Sequence, residues 1–186
     1  MGESNVPLHY VCNRDQAREL IDGNHRFWVS NCGCREARGK CSRSGIDVCL
    51  QFSEVTAAGP SGLHEISRVE AEEILREAED KHLVRRPFRD DNTRKETEGI
   101  CFCCDDCCGY FMEPGEYTCD KGDLIETTDM EACTHCGECV EVCYFGARRM
   151  REGKLAVGRE KCYGCGLCTD VCPEDCIELV PRAEAA

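Results

Sequence analysis

The run Cys133-Thr-His-Cys136-Gly-Glu-Cys139-Val-Glu-Val-Cys143 recurs 29 residues later as Cys162-Tyr-Gly-Cys165-Gly-Leu-Cys168-Thr-Asp-Val-Cys172. Both read C-x2-C-x2-C-x3-C, and Glu131/Glu160, Gly137/Gly166 and Val142/Val171 keep the same offset. This repeat constrains the fold more than any helix or strand signal. A segment this short buries too little apolar surface to stand on a hydrocarbon core alone. A cysteine at every third residue lets one loop wrap three thiolates around one side of a cubane cluster, while the fourth thiolate approaches from elsewhere. Zinc also uses C-x2-C pairs, but its sites are usually built from two separated pairs, not from triplets each with an added cysteine.

Residues 125–182 resemble the bacterial two-cluster ferredoxins, in which each run gives three ligands to one cluster and its fourth cysteine to the other. The resemblance implies a small α+β, two-cluster ferredoxin-like fold holding two [4Fe-4S] clusters. Cluster I would take Cys133, Cys136, Cys139 and Cys172; cluster II would take Cys162, Cys165, Cys168 and Cys143. The residues between the repeats agree with such a fold. Ala147–Val157 reads as two short strands around a Glu152-Gly153 turn, and Ile177–Val180 as a closing strand. Tyr144 stands where the family usually has proline; with Phe145 it is expected to shield the cluster and alter its potential. Cys176 replaces a usual small alanine and reads as a small buried hydrophobe.

Cysteine accounts for 20 of the 186 residues, a usage that implies disulfides or metal. Residues 1–15 lack the basic and apolar pattern of an export signal, and Val6 breaks the myristoylation pattern. No run approaches the ~18 apolar residues of a membrane span. A cytoplasmic location is therefore expected, where thiols stay reduced and clustered cysteines are metal ligands. The net charge of −13 argues against nucleic-acid binding, which needs a basic footprint. It favours docking on a basic patch of a protein partner.

Residues 1–124 are expected to form a separate, mainly helical Cys-rich domain for metal binding or docking, with 125–186 as the ferredoxin domain. Asn13–Ile21 reads as a capped helix ended by Gly23, and Arg26–Val29 as a strand. Ile66–Val84 is the clearest helix, opened by a Ser67/Glu70 capping box and carrying Ala71, Ile74, Leu75 and Ala78 at helical spacing. Its ending, Leu83-Val84-Arg85-Arg86, resembles that of winged-helix DNA readers, but the surrounding charge favours an amphipathic helix that covers a core. Arg89–Glu98 reads as a surface loop.

The remaining thiols are Cys32, Cys34, Cys41, Cys49, Cys119 and the dense run Ile100–Phe111, ICFCCDDCCGYF. Cys101, Cys104 and Cys107 repeat the three-residue spacing and are candidates for a third iron–sulfur cluster. Its distant fourth ligand would be Cys32, Cys34, Cys41, Cys49 or Cys119. A competing register pairs Cys103 with Cys107, or Cys104 with Cys108, and suits zinc. Because His9, His25, His64, His82 and His135 are scattered, such a zinc site would be all-cysteine. A thiol–disulfide redox role is the third alternative. Adjacent cysteines diverge, so Cys103 and Cys108 are expected to face a second metal or the core.

The order C-x-C-R, C-x6-C, helix, Cys-dense run and two ferredoxin repeats is similar to a group of anaerobe ferredoxin-type proteins with an extra N-terminal Cys-rich domain. That similarity implies electron transfer beside larger oxidoreductases. No phosphate loop, dinucleotide fingerprint or nucleophile triad is present, so an enzyme is not expected. The expected role is an iron–sulfur wiring subunit of a larger anaerobic oxidoreductase. Its partners would be a catalytic subunit and an electron donor or acceptor, with no nucleic acid and no membrane insertion. The alternatives are a free-standing polyferredoxin carrier and a redox- or metal-sensing regulator.

Overall fold

The computed structural model describes residues 6–54, 60–113 and 118–184. The elements run β1 (His9–Tyr10), α1 (Arg14–Asp22), β2 (Phe27–Asn31), α2 (Gly33–Arg38), β3 (Asp47–Gln51), β4 (His64–Ile66), α3 (Arg68–Asp80), β5 (Val84–Arg89), β6 (Thr97–Cys103), α4 (Gly109–Met112) and β7 (Cys119–Asp120). They continue with β8 (Leu124–Thr128), α5 (Glu138–Glu141), β9 (Arg148–Arg151), β10 (Lys154–Val157), α6 (Leu167–Asp170) and β11 (Ile177–Pro181).

The N-terminal part is not mainly helical, contrary to expectation. Its body is a seven-stranded sheet in the order β4-β2-β3-β6-β5-β1-β7, antiparallel except where β1 meets β7. Cysteine and arginine at alternate positions hid the strands. In Ile100-Cys-Phe-Cys, Ile100 and Phe102 fall on one face and Cys101 and Cys103 on the other, as the period of two requires. Ile100, Phe102 and Leu50 pack against Ala17 and Ile21 of α1 and against Ala71, Leu75 and Ala78 of α3. Full burial of each large apolar side chain here stabilises by about 1.5–3 kcal/mol. The opposite face brings Cys101 beside Arg86, and Cys103 beside Val84, across the β5–β6 ladder.

Both long helices start where the sequence places them. Asn13 and Gln16 form a reciprocal capping box, as do Ser67 and Glu70, each cap contributing about 1 kcal/mol. The Ile66–Val84 helix ends earlier than expected, at Asp80. Leu83 enters the core and Val84 opens β5, so Arg85 and Arg86 are 0% and 3% exposed. Neither guanidinium is presented to a phosphate backbone.

In the C-terminal part, β8 pairs with β11, and β9 with β10. The β9–β10 turn has Glu152 and Gly153 both at positive φ, the two-residue geometry that matches strand twist. The 29-residue repeat is also a repeat of backbone shape. His135 and Gly164, Gly137 and Gly166, and Gly146 and Asp175 are all left-handed.

Gly99 lies in β6 between β3 and β5. A Cβ there would fall 2.3 Å from both the Leu50 carbonyl oxygen and Phe88 Cζ. Gly99→Ala is expected to destabilise the chain by about 1–3 kcal/mol or more, lowering the thermal unfolding midpoint. An unchanged midpoint would contradict this packing.

Candidate metal centres

Cys133, Cys136, Cys139 and Cys172 line one cavity, together with His135, Leu155 and Pro173. Cys143, Cys162, Cys165 and Cys168 line a second, together with Phe145, Ala147 and Tyr163. In each case the fourth thiol of one run lies with the triplet of the other. The left-handed residues at 135, 137, 164 and 166 curl each loop, and α5 and α6 then begin directly behind it. Gly164 is needed for more than its φ of +76°, because a Cβ would fall 2.2 Å from the Leu124 carbonyl oxygen of β8. Among the described residues, no three of these thiols lie within 4.8 Å of one another. That spread suits a polynuclear cluster rather than a single ion.

The surroundings favour bound, anionic sulfur. Burial pushes the Cys165 thiol up to about 12 and also raises Cys168 and Cys139, the last against the pull of Arg148. Free thiols here would be neutral, so metal loading must release protons. Arg148 is 3% exposed. Its guanidinium donates to Cys139 Sγ at 3.4 Å, to Glu126 at 2.5 Å and to Thr128 at 2.9 Å. Burial opposes its charge, but Cys168, Glu126 and Cys139 outweigh burial and hold it above its ordinary value. One cation therefore serves a thiol from each quartet. Nothing in the strand pattern of Ala147–Val157 distinguishes Arg148 from Arg149 or Arg151. Cys176 is buried as expected, with its Sγ 3.5 Å from that of Cys172.

The dense run in the N-terminal part divides differently from its spacing. Cys101 does not join Cys104 and Cys107. It points from β6 toward Cys49, with the Sγ atoms 3.7 Å apart, and toward His9 Nε2 at 3.8 Å. The chain then turns, and Cys104 and Cys107 meet Cys41 on the other side. The i, i+4 pairings do not form either. Cys103 instead lies near Cys108, Cys108 near Cys34, and Cys34 near Cys32. Each vicinal pair is split between two sites, as diverging side chains require. The strand alternation of ICFC was the overlooked signal that separates Cys101 from Cys104.

Arg86 sits at the centre of the Cys101-side group. Its guanidinium donates to Cys108 Sγ at 3.3 Å and Cys103 Sγ at 3.7 Å, and Cys119 lies near it. Burial disfavours its charge, yet Cys103, Cys119 and Cys108 hold it above the usual guanidinium range. Burial and then Arg86 push His9 down to about 4, leaving it neutral. The same guanidinium lies 4.4 Å over the Tyr110 ring. Tyr110 packs edge-on to Phe145 and Tyr163, which stack on each other at 4.2 Å. Phe145 and Tyr163 line the second cavity, so one aromatic seam joins the two halves. Phe145 thus covers that cavity, while Tyr144 packs against Phe111 and under Arg43.

A repeat-built, eight-thiol unit with crossed fourth cysteines defines a ferredoxin-type iron–sulfur domain. Residues 125–173 match the family described as the 4Fe-4S dicluster domain. No curated protein matches the chain. The C-terminal part is therefore an iron–sulfur, metal-binding unit of the kind that supports electron transfer. Among the described residues, no helix is long and apolar enough to cross a membrane.

Gly164→Ala is expected to push the Cys162–Cys165 loop off β8 and sharply reduce iron binding in the second cavity. Iron and acid-labile sulfide should then fall by about half of the C-terminal content. Full retention would show that the loop tolerates the side chain.

Proposed function

We propose that the chain is a non-catalytic electron-transfer protein of the cytoplasm with [4Fe-4S] clusters in series. It would serve as a wiring subunit between a larger redox enzyme and an electron donor or acceptor. Cluster I is ligated by Cys133, Cys136, Cys139 and Cys172, and cluster II by Cys143, Cys162, Cys165 and Cys168. The observation that carries this reading is the crossed lining of the two cavities. Residues 1–124 act as the added domain, and a third iron–sulfur centre lies among the thiols around Arg86, with Cys32, Cys34, Cys103 and Cys108 as its ligands. The aromatic seam through Tyr110, Phe145 and Tyr163 favours the wiring role over a free carrier, because it connects that centre to cluster II. When bound, the clusters supply one-electron chemistry. The chain's own residues exclude water and set the potential through nearby charge.

Anaerobically prepared protein is expected to hold about twelve iron and as many sulfides per chain. About eight would confine the clusters to the C-terminal part. Cys136→Ala should damage one C-terminal cluster and leave the other visible by electron paramagnetic resonance; two intact cubanes would refute the ligand assignment. Arg148→Gln removes a buried positive charge beside both quartets. It should lower both reduction potentials, and unchanged values in a redox titration would deny Arg148 that role.

A further inference from the structure

The triplet Cys41, Cys104 and Cys107 stands apart from every other thiol group in the molecule. Its Sγ–Sγ distances are 3.6 Å (Cys41–Cys104), 3.4 Å (Cys104–Cys107) and 3.5 Å (Cys41–Cys107). Among the described residues it is the only set of three ligand-type side chains whose donor atoms all lie within 4.8 Å of one another. A tetrahedral ion with metal–sulfur bonds of about 2.3 Å holds its sulfurs about 3.8 Å apart. Thiolates on the corners of a cubane stand roughly 6 Å apart. The triplet has the spacing for a single ion and is too tight for a cluster.

The surroundings fit the same chemistry. Arg35 is 2% exposed. It donates to the carbonyls of Gly45 (2.8 Å) and Phe102 (3.0 Å) and lies near the Cys107 thiol. Its Nε has no partner, and among the described residues no carboxylate pairs with it. Three thiolates around a divalent ion carry one net negative charge, which is what this buried guanidinium lacks. Asp106 accepts a hydrogen bond from the Ser42 amide at 2.7 Å, which ties the residue after Cys41 to the turn that carries Cys104 and Cys107. A sulfur-rich tetrahedral set selects zinc among ions without redox chemistry.

We infer that Cys41, Cys104 and Cys107 bind one zinc ion, with Arg35 as the charge partner and Asp106 holding the Cys41 segment in place. This site is structural: it pins the segment after α2 to the turn after β6 and takes no electrons. It is independent of the iron–sulfur reading.

Zinc and iron are measured per chain on the full-length protein prepared anaerobically. One zinc per chain is expected beside the iron. Cys104→Ser with Cys107→Ser should abolish the zinc and leave the C-terminal iron in place. Arg35→Gln and Asp106→Ala, which keep the thiols, should weaken zinc about 10–100-fold in a chelator competition without loss of iron. On the unaltered chain, cobalt(II) replacing the zinc should give the visible bands of a tetrahedral thiolate site. Protein without zinc, a site filled by iron, or loss of iron rather than zinc in the Arg35 and Asp106 variants would each overturn the assignment. The crossed-cluster reading fails separately, if the C-terminal part holds no pair of cubanes.

Discussion

Buried guanidinium groups set against sulfur are the interaction on which the rest of this molecule depends. Arg35, Arg86 and Arg148 are each 2–3% exposed. Burying an ion costs several kcal/mol unless a charge and hydrogen bonds compensate. Among the described residues only Arg148 has a carboxylate partner, Glu126; Arg35 and Arg86 face thiols. Neutral thiols compensate poorly, whereas thiolates fixed by metal compensate well. An overall charge of −13 therefore coexists with a positively charged interior. With the proposed zinc in place, folding of the N-terminal part and metal loading would be linked, since a group that binds only the folded chain stabilises it by its own binding free energy.

The same charge logic explains why the vicinal cysteines are used as they are. Two adjacent side chains cannot turn toward one ion, so Cys103-Cys104 and Cys107-Cys108 each give one thiol to either side of the chain. Cys104 and Cys107 meet Cys41, with Arg35 above them. Cys103 and Cys108 meet Cys34, with Arg86 beside them. One short turn at the end of β6 thus serves two thiol groups, and the alternation of β6 keeps them from merging.

The C-terminal part was legible in the sequence because its determinants are local. Four cysteines at a fixed offset, glycines at 137 and 166, and a Glu152-Gly153 turn all act within a few residues. Helices α1 and α3 were legible for the same reason, through their capping boxes and apolar spacing. The N-terminal sheet was not, because cysteine and arginine occupy positions where alternation is normally read from apolar against polar. In Val84-Arg-Arg-Pro-Phe-Arg the charged residues turn inward: Arg85 meets Asp170 at 3.5 Å, Arg89 meets Asp120 at 2.9 Å, and Arg86 faces thiols. The register Cys101/Cys104/Cys107 misled for a related reason. Three-residue spacing brings thiols together on a curled loop, but Cys101 and Cys103 lie in an extended strand, where the period is two.

The aromatic seam gives the two halves a reason to be one chain. Tyr110 and Phe111 follow directly on the dense cysteine run, Phe145 follows Cys143 by two residues, and Tyr163 follows Cys162. Each ring is thus anchored within three residues of a cysteine, and the seam brings sulfur on one side near sulfur on the other. Backbone contacts lock the same junction: Gly122 N–H donates to the Tyr163 carbonyl at 2.9 Å, and Arg182 donates to the Gly122 carbonyl at 3.1 Å. A Cβ on Gly122 would meet the Val11 carbonyl oxygen at 2.7 Å, so the connecting segment runs too close to β1 to admit a side chain. A flexible tether would have left the spacing between centres free. This junction fixes it, which is what one-electron transfer between buried centres requires and what mere tethering of a docking domain does not.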